Sequence, residues 1–283
     1  MTSTTSNSYK TYNFDTESNF LIVCEHASNY IPPEYDNLGL GKEDLQKHIA
    51  WDVGAADVSK FLSDKLNAPA ILGEQSRLII DINRPLDHPT LIVSRGEGKV
   101  IPGNLNLDER EVLNRIDRIY KPFHDKIRAK VEEILDRKKI PFAINIHSFS
   151  PTFFSQKREW EICFLWAQDD RPVKPMARFF EDKGFHVGIN EPYNAKMLGG
   201  TTLNKHFDKR CLPSLLVEIR HDLIDTPDKA EYWAELMKQG IQTLGEDEMS
   251  LYNGPLARFD PEECKRYFDK LIEEIENNLA VSA

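Results

Sequence analysis

Short, uninterrupted runs of apolar residues recur along the chain and predict strands that are buried on both faces. The runs are FLIVCE (20–25), PAILGE (69–74), RLIIDI (77–82), PFAINIH (141–147), WEICFLWA (160–167), FHVGI (185–189) and PSLLVEIR (213–220). Apolar residues at helical spacing predict helices at about 43–66, 108–138, 173–183, 227–243 and 261–279, and Pro122 should kink or divide the second of them. Strands that alternate with helices in this way predict a mostly parallel sheet covered on both sides, which is a three-layer α/β/α fold.

The composition is that of an ordinary globular protein, with 40% hydrophobic and 29% charged residues among 283. Regular Pro and Gly punctuation without a low-complexity linker predicts one domain over residues 19–283. The polar residues 1–18 predict a flexible N-terminal tail. Because this start has no apolar core and no apolar run is long enough to span a bilayer, we expect a cytoplasmic protein.

The net charge of −10 narrows the range of partners. Its summed field repels nucleic acid and anionic membrane surfaces, so we expect neither as a partner. A small anionic substrate would need a local cationic pocket to overcome this field, which makes clustered arginines important.

Polar side chains lie at or just past the carboxyl ends of four predicted strands. They are His26, Arg84, His147 and Glu218. In open α/β sheets ligands bind outside the carboxyl ends of the strands, so parallel strands would bring these four groups to one edge.

His26 and His147 are candidate metal ligands, because catalytic zinc sites use three protein ligands and keep one open position. Taken alone, a histidine at a strand end is more often a hydrogen-bonded structural group, but two in equivalent positions favour the metal site. Asp52 is the first candidate for the third ligand, since a carboxylate in an apolar stretch is costly to bury unpaired; it could instead cap a helix or lie on an exposed helix face. Glu25 is the competitor, although it would need a bend in the strand to share a metal with its neighbour His26.

Glu218 is a lone glutamate in an apolar strand and is therefore expected to be functional or paired. Beside a metal it could act as a general base; the alternative is a salt bridge to Arg220 or Arg84. Arg77 and Arg84 flank a short segment in which Asp81 could orient one of them. A guanidinium suits the bidentate binding of a substrate carboxylate, whereas surface ion pairs are the ordinary alternative.

Three sequence motifs typical of other enzyme classes do not occur in this chain. GxSxG, P-loop and GxGxxG sequences are absent, which argues against a serine hydrolase, an NTPase and a dinucleotide-binding enzyme. His124, beside the expected kink at Pro122, could reach the site but is more typical of a structural histidine.

In collinear order over roughly residues 20–225, these segments resemble the N-formylglutamate amidohydrolase family, which is related to the zinc carboxypeptidases and to aspartoacylase. The resemblance rests on Glu25-His26-Ala27-Ser28, Asp52 with Gly54, Arg77-x-x-x-Asp81-x-Asn83-Arg84-Pro85, Asn145-x-His147-Ser148, Asn190 with Pro192-Tyr193, and Glu218. The chain departs from the carboxypeptidases at Asn29, where their first ligand pair has a glutamate. The third ligand must then come from elsewhere, with Asp52 as the hypothesis.

The resemblance implies a zinc exopeptidase-like (phosphorylase/hydrolase-like) α/β/α domain that removes an N-acyl group, with formyl as the leading candidate, from an acidic amino acid such as N-formylglutamate. It implies that Zn²⁺, or another divalent transition metal such as cobalt or iron, is the cofactor. The implied roles are metal binding for His26, His147 and, as the hypothesis, Asp52; catalysis for Glu218 as general base and acid and for Arg77 on the acyl carbonyl or a second carboxylate; and substrate binding for Asn83, Arg84, Tyr193 and Ser148.

Two other functions stay open on the sequence alone. One is a zinc carboxypeptidase or amidase that uses the same metal site on a peptide or cell-wall fragment. The other is a non-catalytic protein that keeps the arginines to bind a carboxylate but holds no metal. The sequence does not indicate an oligomeric state.

Overall fold

A seven-stranded mixed sheet forms the centre of the computed structural model, which describes residues 7–153, 155–167, 169–197 and 201–244. The strands are β1 (Tyr9–Tyr12), β2 (Phe20–Cys24), β3 (Ala70–Gly73), β4 (Arg95–Gly96), β5 (Lys99–Val100), β6 (Phe142–Phe149), β7 (Thr152–Phe153), β8 (Gln156–Lys157), β9 (Ile162–Leu165), β10 (Val187–Ile189) and β11 (Ser214–Arg220). The helices are α1 (Lys42–Leu45), α2 (Ala55–Leu66), α3 (Glu109–Arg115), α4 (Lys121–Asp136), α5 (Val173–Asp182), α6 (Thr202–His206) and α7 (Pro227–Gln242).

The strand order is β1-β3-β2-β6-β11-β9-β10. The four central strands β3, β2, β6 and β11 are parallel, whereas β1 and β9 run antiparallel to their central neighbours. β4–β5 and β7–β8 are small antiparallel pairs outside this sheet. The predicted α/β fold with a mostly parallel mixed sheet is confirmed.

Helices cover both faces of the sheet. Alternate residues of β2 show the division, since Ile22 packs in the cluster with α2, α5 and α7, while Leu21 and Val23 pack in the cluster with α4. Both faces of the strand are therefore buried, which explains its uninterrupted apolar sequence. None of the described helices is long and apolar enough to cross a membrane.

The segment 77–82 does not form the predicted strand. It is buried but irregular, and buried side chains replace the neighbouring strand as partners of its carbonyl groups. Asn104 Nδ2 donates to the carbonyl oxygen of Leu78 at 2.7 Å, and Arg115 Nη1 donates to that of Ile79 at 2.8 Å. Buried carbonyl groups need hydrogen-bond partners, but a neighbouring strand and buried side chains can both supply them. An apolar run alone therefore does not distinguish a β-strand from a buried irregular segment.

The single helix predicted at 43–66 is also wrong. The chain forms the short α1 and then a loop that contains Asp52, before α2 begins after Gly54. Gly54 has φ of +79°, and a Cβ placed there would lie 2.0 Å from the carbonyl oxygen of Ile224. Only glycine fits this close approach in a left-handed conformation, so the helix cannot extend back through it.

Pro122 does divide the helical stretch predicted at 108–138. A wide π turn over Ile116–Tyr120 joins α3 to α4, and Lys121 N donates to the carbonyl oxygen of Ile116, five residues earlier. Pro122 follows in the first turn of α4, where its missing N–H is tolerated.

The predictions for the two ends of the chain were a flexible N-terminal tail and a C-terminal helix. Residues 9–12, which lie in the predicted flexible tail, instead form the edge strand β1 against β3. Lys10 on this strand also pairs with Glu74. The helix predicted at 261–279 lies outside the described residues.

Candidate metal and substrate site

The predicted site residues meet at the carboxyl edge of the central strands. β2 runs into Glu25 and His26, and His147 and Glu218 lie opposite each other in register on β6 and β11. The loop before α2 carries Asp52 to the same place, since its N–H donates to the carbonyl oxygen of His26 at 2.9 Å. Parallel strands thus bring together groups that lie far apart in the sequence, as expected.

His26, Asp52 and His147 form a buried cluster in which one ligand atom of each lies within 4.8 Å of the others. Asp52 Oδ2 is 3.3 Å from His26 Nδ1 and 2.8 Å from His147 Nδ1. The ring centroids of the two histidines are 5.2 Å apart. Asp52 is therefore the carboxylate that faces both rings.

The outer nitrogens of both rings face further carboxylates. His26 Nε2 is 2.7 Å from Asp81 Oδ1, and His147 Nε2 is 3.3 Å from Glu25 Oε2. Glu25 thus lies on the far side of His147, as the alternation of side chains along a strand requires, and it also accepts a hydrogen bond from Asn145 Nδ2 at 3.1 Å. This placement favours Asp52 over Glu25 as the third ligand.

The donor set fits a cation. If the Nε2–H groups donate to Asp81 and Glu25, both Nδ1 atoms present lone pairs toward a carboxylate oxygen that is also an acceptor. A divalent ion between these three acceptors would satisfy all of them, and histidines that bind metals through one nitrogen commonly donate the other to a carboxylate.

The same crowding of charges shifts the pKa values of the cluster. Burial opposes ionisation of Asp52, but His26 and Arg77 outweigh it and hold the pKa of Asp52 well below its usual range. Burial likewise opposes a charge on His147, but hydrogen bonds to Asp52 and Glu25 raise its pKa well above the ordinary value. The site therefore favours positive charge at its centre.

Glu218 differs from these carboxylates because it has no partner among the described residues. It is 8% exposed, and no described side chain forms an ion pair or hydrogen bond with it. Arg220 pairs instead with Asp222 at 2.8 Å, and Arg84 lies 3.8 Å from Asp81, so neither alternative salt bridge forms. Burial raises the pKa of Glu218 to about 7, a value suited to proton transfer near neutral pH.

The two arginines lie beside the cluster. Arg77 Nη1 donates to Asp52 Oδ1 at 3.0 Å, and its Nη2 is 3.5 Å from Asp81 Oδ2. Arg84 is held more loosely, since its Nε makes no hydrogen bond and lies 3.8 Å from Asp81 Oδ2. Asp81 was expected to orient an arginine, and it also fixes His26, a role that no sequence pattern indicated.

The other predicted substrate-binding residues serve partly to hold the site together. Asn83 Oδ1 accepts a hydrogen bond from Thr202 N at 2.9 Å. Ser148 Oγ donates to the carbonyl oxygen of Val53 at 2.9 Å and so anchors the loop that carries Asp52. Tyr193 is partly exposed at the mouth of the site.

Two connected cavities extend outward from the cluster. The inner one has a volume of about 130 Å³ and is lined by His26, His48, Asp52, Arg77, Asn83, Arg84, His147, Ser148, Leu165, Tyr193, Thr201, Leu216 and Glu218. The outer one has about 570 Å³ and shares His48 and Tyr193 with the inner one. All the predicted site residues thus line the inner cavity.

The structure places two further histidines, one beside Asp52 and the other outside the inner cavity. His48, whose position in the sequence has no spacing typical of a metal ligand, places its Nδ1 3.5 Å from Asp52 Oδ1. His124 does not line the inner cavity: its Nε2 lies 3.0 Å from the carbonyl oxygen of Ile82, and its Nδ1 lies 2.8 Å from His206 Nε2. Burial lowers the pKa of His124 to about 3, so it stays neutral and braces the segment that holds Asp81.

Comparisons with known proteins agree with this geometry. The family profile described as N-formylglutamate amidohydrolase matches residues 18–225. Among solved structures, a gene product of Agrobacterium tumefaciens is 33% identical over 87% of this chain and 98% of its own, with a TM-score of 0.83. An N-formylglutamate amidohydrolase from Ralstonia eutropha JMP134 is 18% identical over 84% of this chain and 96% of its own, with a TM-score of 0.56, and so shows a likeness of fold. A comparison with curated protein sequences found no significant match.

Proposed function

The chain belongs to the N-formylglutamate amidohydrolase family, and from this premise we propose that it hydrolyses the amide bond of an N-acyl acidic amino acid. N-Formylglutamate is the leading candidate, with formate and free glutamate as products. The observation that carries the proposal is the cluster itself, in which two imidazoles face one carboxylate oxygen beside Glu218, a glutamate that is unpaired among the described residues.

His26, Asp52 and His147 would hold the cofactor, which we propose to be Zn²⁺. Two imidazoles and one carboxylate are a common ligand set of catalytic zinc, although other divalent transition metals accept the same ligands. When bound, such an ion polarises the acyl carbonyl and lowers the pKa of a neighbouring water. Asp81 and Glu25 fix the orientation of the two rings from behind.

Glu218 moves the proton in the proposed reaction. Its carboxylate accepts a proton from the attacking water, whose oxygen forms a bond to the acyl carbon. The same carboxyl group then donates this proton to the amide nitrogen as the carbon–nitrogen bond breaks, which returns Glu218 to its starting state. The absence of any described ion-pair partner and a pKa near 7 support this role.

The arginines handle negative charge. Arg77, whose side chain is fixed by Asp52 and Asp81, stabilises the charge that develops on the acyl oxygen. Arg84 has an Nε without a hydrogen-bond partner among the described residues and binds the α-carboxylate of the substrate, together with Asn83. Tyr193 and Ser148 complete the wall around the substrate.

We propose the cytoplasm as the compartment and a small anionic acyl-amino acid as the partner. The net charge of −10 supports the exclusion of nucleic acid and of anionic membrane surfaces. Fractionation of the producing cells would test the compartment.

The outer cavity of about 570 Å³ gives some support to a second candidate, a metallopeptidase or amidase that acts on a longer substrate. A panel of substrates separates the two functions: N-formylglutamate should release formate, whereas peptides that end in glutamate should release that amino acid if the second candidate is right. Metal content of the purified protein, and turnover before and after chelation and zinc replacement, complete the test. An enzyme whose turnover survives complete removal of the metal would contradict the proposed mechanism.

A further inference from the structure

An arginine that has no carboxylate partner among the described residues lies beside Tyr193, which lines both cavities. Arg158 is only 8% exposed and lines the outer cavity. Its Nη1 donates to the carbonyl oxygen of Ser150 at 3.3 Å, and its side chain also hydrogen-bonds Tyr193. No carboxylate of the described residues forms an ion pair with it, although the other buried arginine, Arg115, pairs with Glu111 at 2.8 Å.

Aromatic rings enclose this guanidinium. Its central carbon lies 5.6 Å from the ring centroid of Phe149, 5.0 Å from that of Phe153 and 5.5 Å from that of Tyr193. Cation–π contacts recover only part of the free energy lost when a charge leaves water. The low-polarity surroundings also strengthen its attraction for any anion that reaches it.

The outer cavity offers an anionic ligand one buried cation. Among the described side chains that line it, Lys47 and Arg158 are cationic and Glu97 is acidic. Lys47 pairs with Asp44 at 2.9 Å, which leaves Arg158 as the cation without a carboxylate partner among these side chains. The cavity reaches the reaction site through Tyr193 and His48, which line both spaces. Tyr193, whose ring lies beside the Arg158 guanidinium, therefore joins Arg158 to the wall of the inner cavity.

We propose that Arg158 is a specificity-determining residue that binds a second carboxylate of the substrate, the one carried by the acidic side chain. The inference rests on the proposed function, in which Arg84 binds the α-carboxylate and Arg77 serves the acyl oxygen. Arg158 is then the remaining arginine that can bind the carboxylate of the substrate's side chain. Its planar guanidinium can donate two parallel N–H groups to that carboxylate. The substrate class follows: N-acyl derivatives of dicarboxylic amino acids, in preference to their neutral amides.

The kinetic test compares N-formylglutamate with N-formylglutamine, which differ only in the charge and donors of the side-chain end. In the zinc-loaded enzyme, Arg158→Gln should lower the ratio of the two kcat/KM values by about 10- to 100-fold, as expected for the loss of a hydrogen bond to a charged group. Arg158→Lys should keep part of the preference, because it keeps the charge but not the fork. Arg171→Gln is the matched control, since Arg171 pairs with Asp169 and does not line either cavity, and it should leave the ratio unchanged.

A purely structural role for Arg158 gives a different result. If the guanidinium only anchors the carbonyl group of Ser150, Arg158→Gln should lower both kcat/KM values together and leave their ratio as it was. An unchanged ratio overturns the proposal.

A binding measurement separates this proposal from the proposed function. By titration calorimetry the metal-loaded protein should bind glutarate at least 10-fold more tightly than its monoamide, and Arg158→Gln should abolish that difference. If no formyl compound is hydrolysed but this preference is present and depends on Arg158, the proposed function fails and the carboxylate subsite stands. If N-formylglutamate is hydrolysed but neither preference depends on Arg158, the proposed function stands and the carboxylate subsite at Arg158 is wrong.

Discussion

At the scale of single residues, the site is defined by carboxylates that have different environments. Asp52, Asp81 and Glu25 lie against imidazoles, whereas Glu218 forms no ion pair or hydrogen bond with a described side chain. The first three are therefore held ionised, and Glu218 is the carboxyl group that can exchange a proton near neutral pH. The environment thus separates groups that orient the rings from the group that moves a proton.

Replacement of Glu218 tests this separation. Glu218→Gln should keep the bound metal but lower kcat by about 10²–10⁴-fold, since the amide cannot accept the proton of the attacking water. Elemental analysis and formate release measure the two quantities on the same preparation. Undiminished turnover with normal metal content would remove Glu218 from the mechanism.

The choice between Asp52 and Glu25 as third ligand has an equally direct test. Asp52→Ala should lose the metal and the activity, as His147→Ala should, because both changes remove a group of the buried cluster. Glu25→Gln should retain metal with an affinity weakened by about 10- to 100-fold, since Glu25 contacts the outer nitrogen of His147. Metal affinities by competition with a chromophoric chelator decide the matter, and the opposite order would make Glu25 the ligand.

Individual residues were predictable from the sequence where they interrupted an apolar pattern. Glu218 and Asp52 did so, and both line the inner cavity. Arg158 gave no such signal, because it lies in the mixed sequence QKREWE, where a buried cation looks like a surface one. Its burial depends on Phe149, Phe153 and Tyr193, which the sequence does not place beside it.

At the scale of elements, the parallel strands were predictable and the segments that carry several of the site residues were not. β2, β6 and β11 follow from their apolar runs. The segment 77–82 has the same composition, but its carbonyl groups are satisfied by Asn104 and Arg115, which come from later in the chain. A local pattern cannot reveal such partners, so the strand prediction failed there.

Gly54 illustrates how an element boundary positions the site. Gly54→Ala should lower the free energy of unfolding by at least about 2 kcal/mol and weaken metal binding, because the added Cβ would overlap the carbonyl oxygen of Ile224 and displace the loop of Asp52. Gly98→Ala is the matched control: its φ of +78° is nearly the same as the +79° of Gly54, but nothing lies within 4 Å of the added Cβ. Urea denaturation of both variants separates backbone strain from overlap, and equal losses would show that the contact with Ile224 is unimportant.

At the scale of the whole molecule, the order of strands brings the ends of β2, β6 and β11, which lie far apart in the sequence, together at the site. The wider architecture was predictable because buried parallel strands alternate with helices, and the family resemblance pointed the same way. β1 was missed because YKTY is short and polar, as suits a strand with only one neighbour.

Stability of the whole molecule should depend on pH through Glu218. Burial raises the pKa of its carboxyl group to about 7 from 4.5 in the unfolded chain, so between these values the folded protein keeps a proton that the unfolded chain has released. The contribution of Glu218 to the free energy of unfolding of the metal-free protein should therefore fall as the pH rises through this window, whereas His48, His124 and His206, whose pKa values burial lowers, contribute in the opposite direction. Glu218→Gln never ionises and should gain on the order of 1–3 kcal/mol relative to the wild type across it.

Urea denaturation in the presence of a chelator, repeated over a series of pH values, measures this difference. The histidines and the other carboxylates contribute to both proteins and largely cancel. A gap between variant and wild type that does not change with pH would show that Glu218 titrates as an ordinary exposed glutamate.

The pairing of Glu218 with His147 in adjacent parallel strands has a consequence for how this family can vary in length. Side chains alternate along a strand, so one residue gained or lost between Ser214 and Glu218 would turn the glutamate toward the helices of the opposite layer while the ladder itself re-formed. Such a protein should fold and keep the cluster of His26, Asp52 and His147, yet lack the carboxyl group that we propose moves the proton. Insertions and deletions among its relatives should therefore lie in the connecting loops, and an odd number of residues should not be gained or lost within this strand before the glutamate.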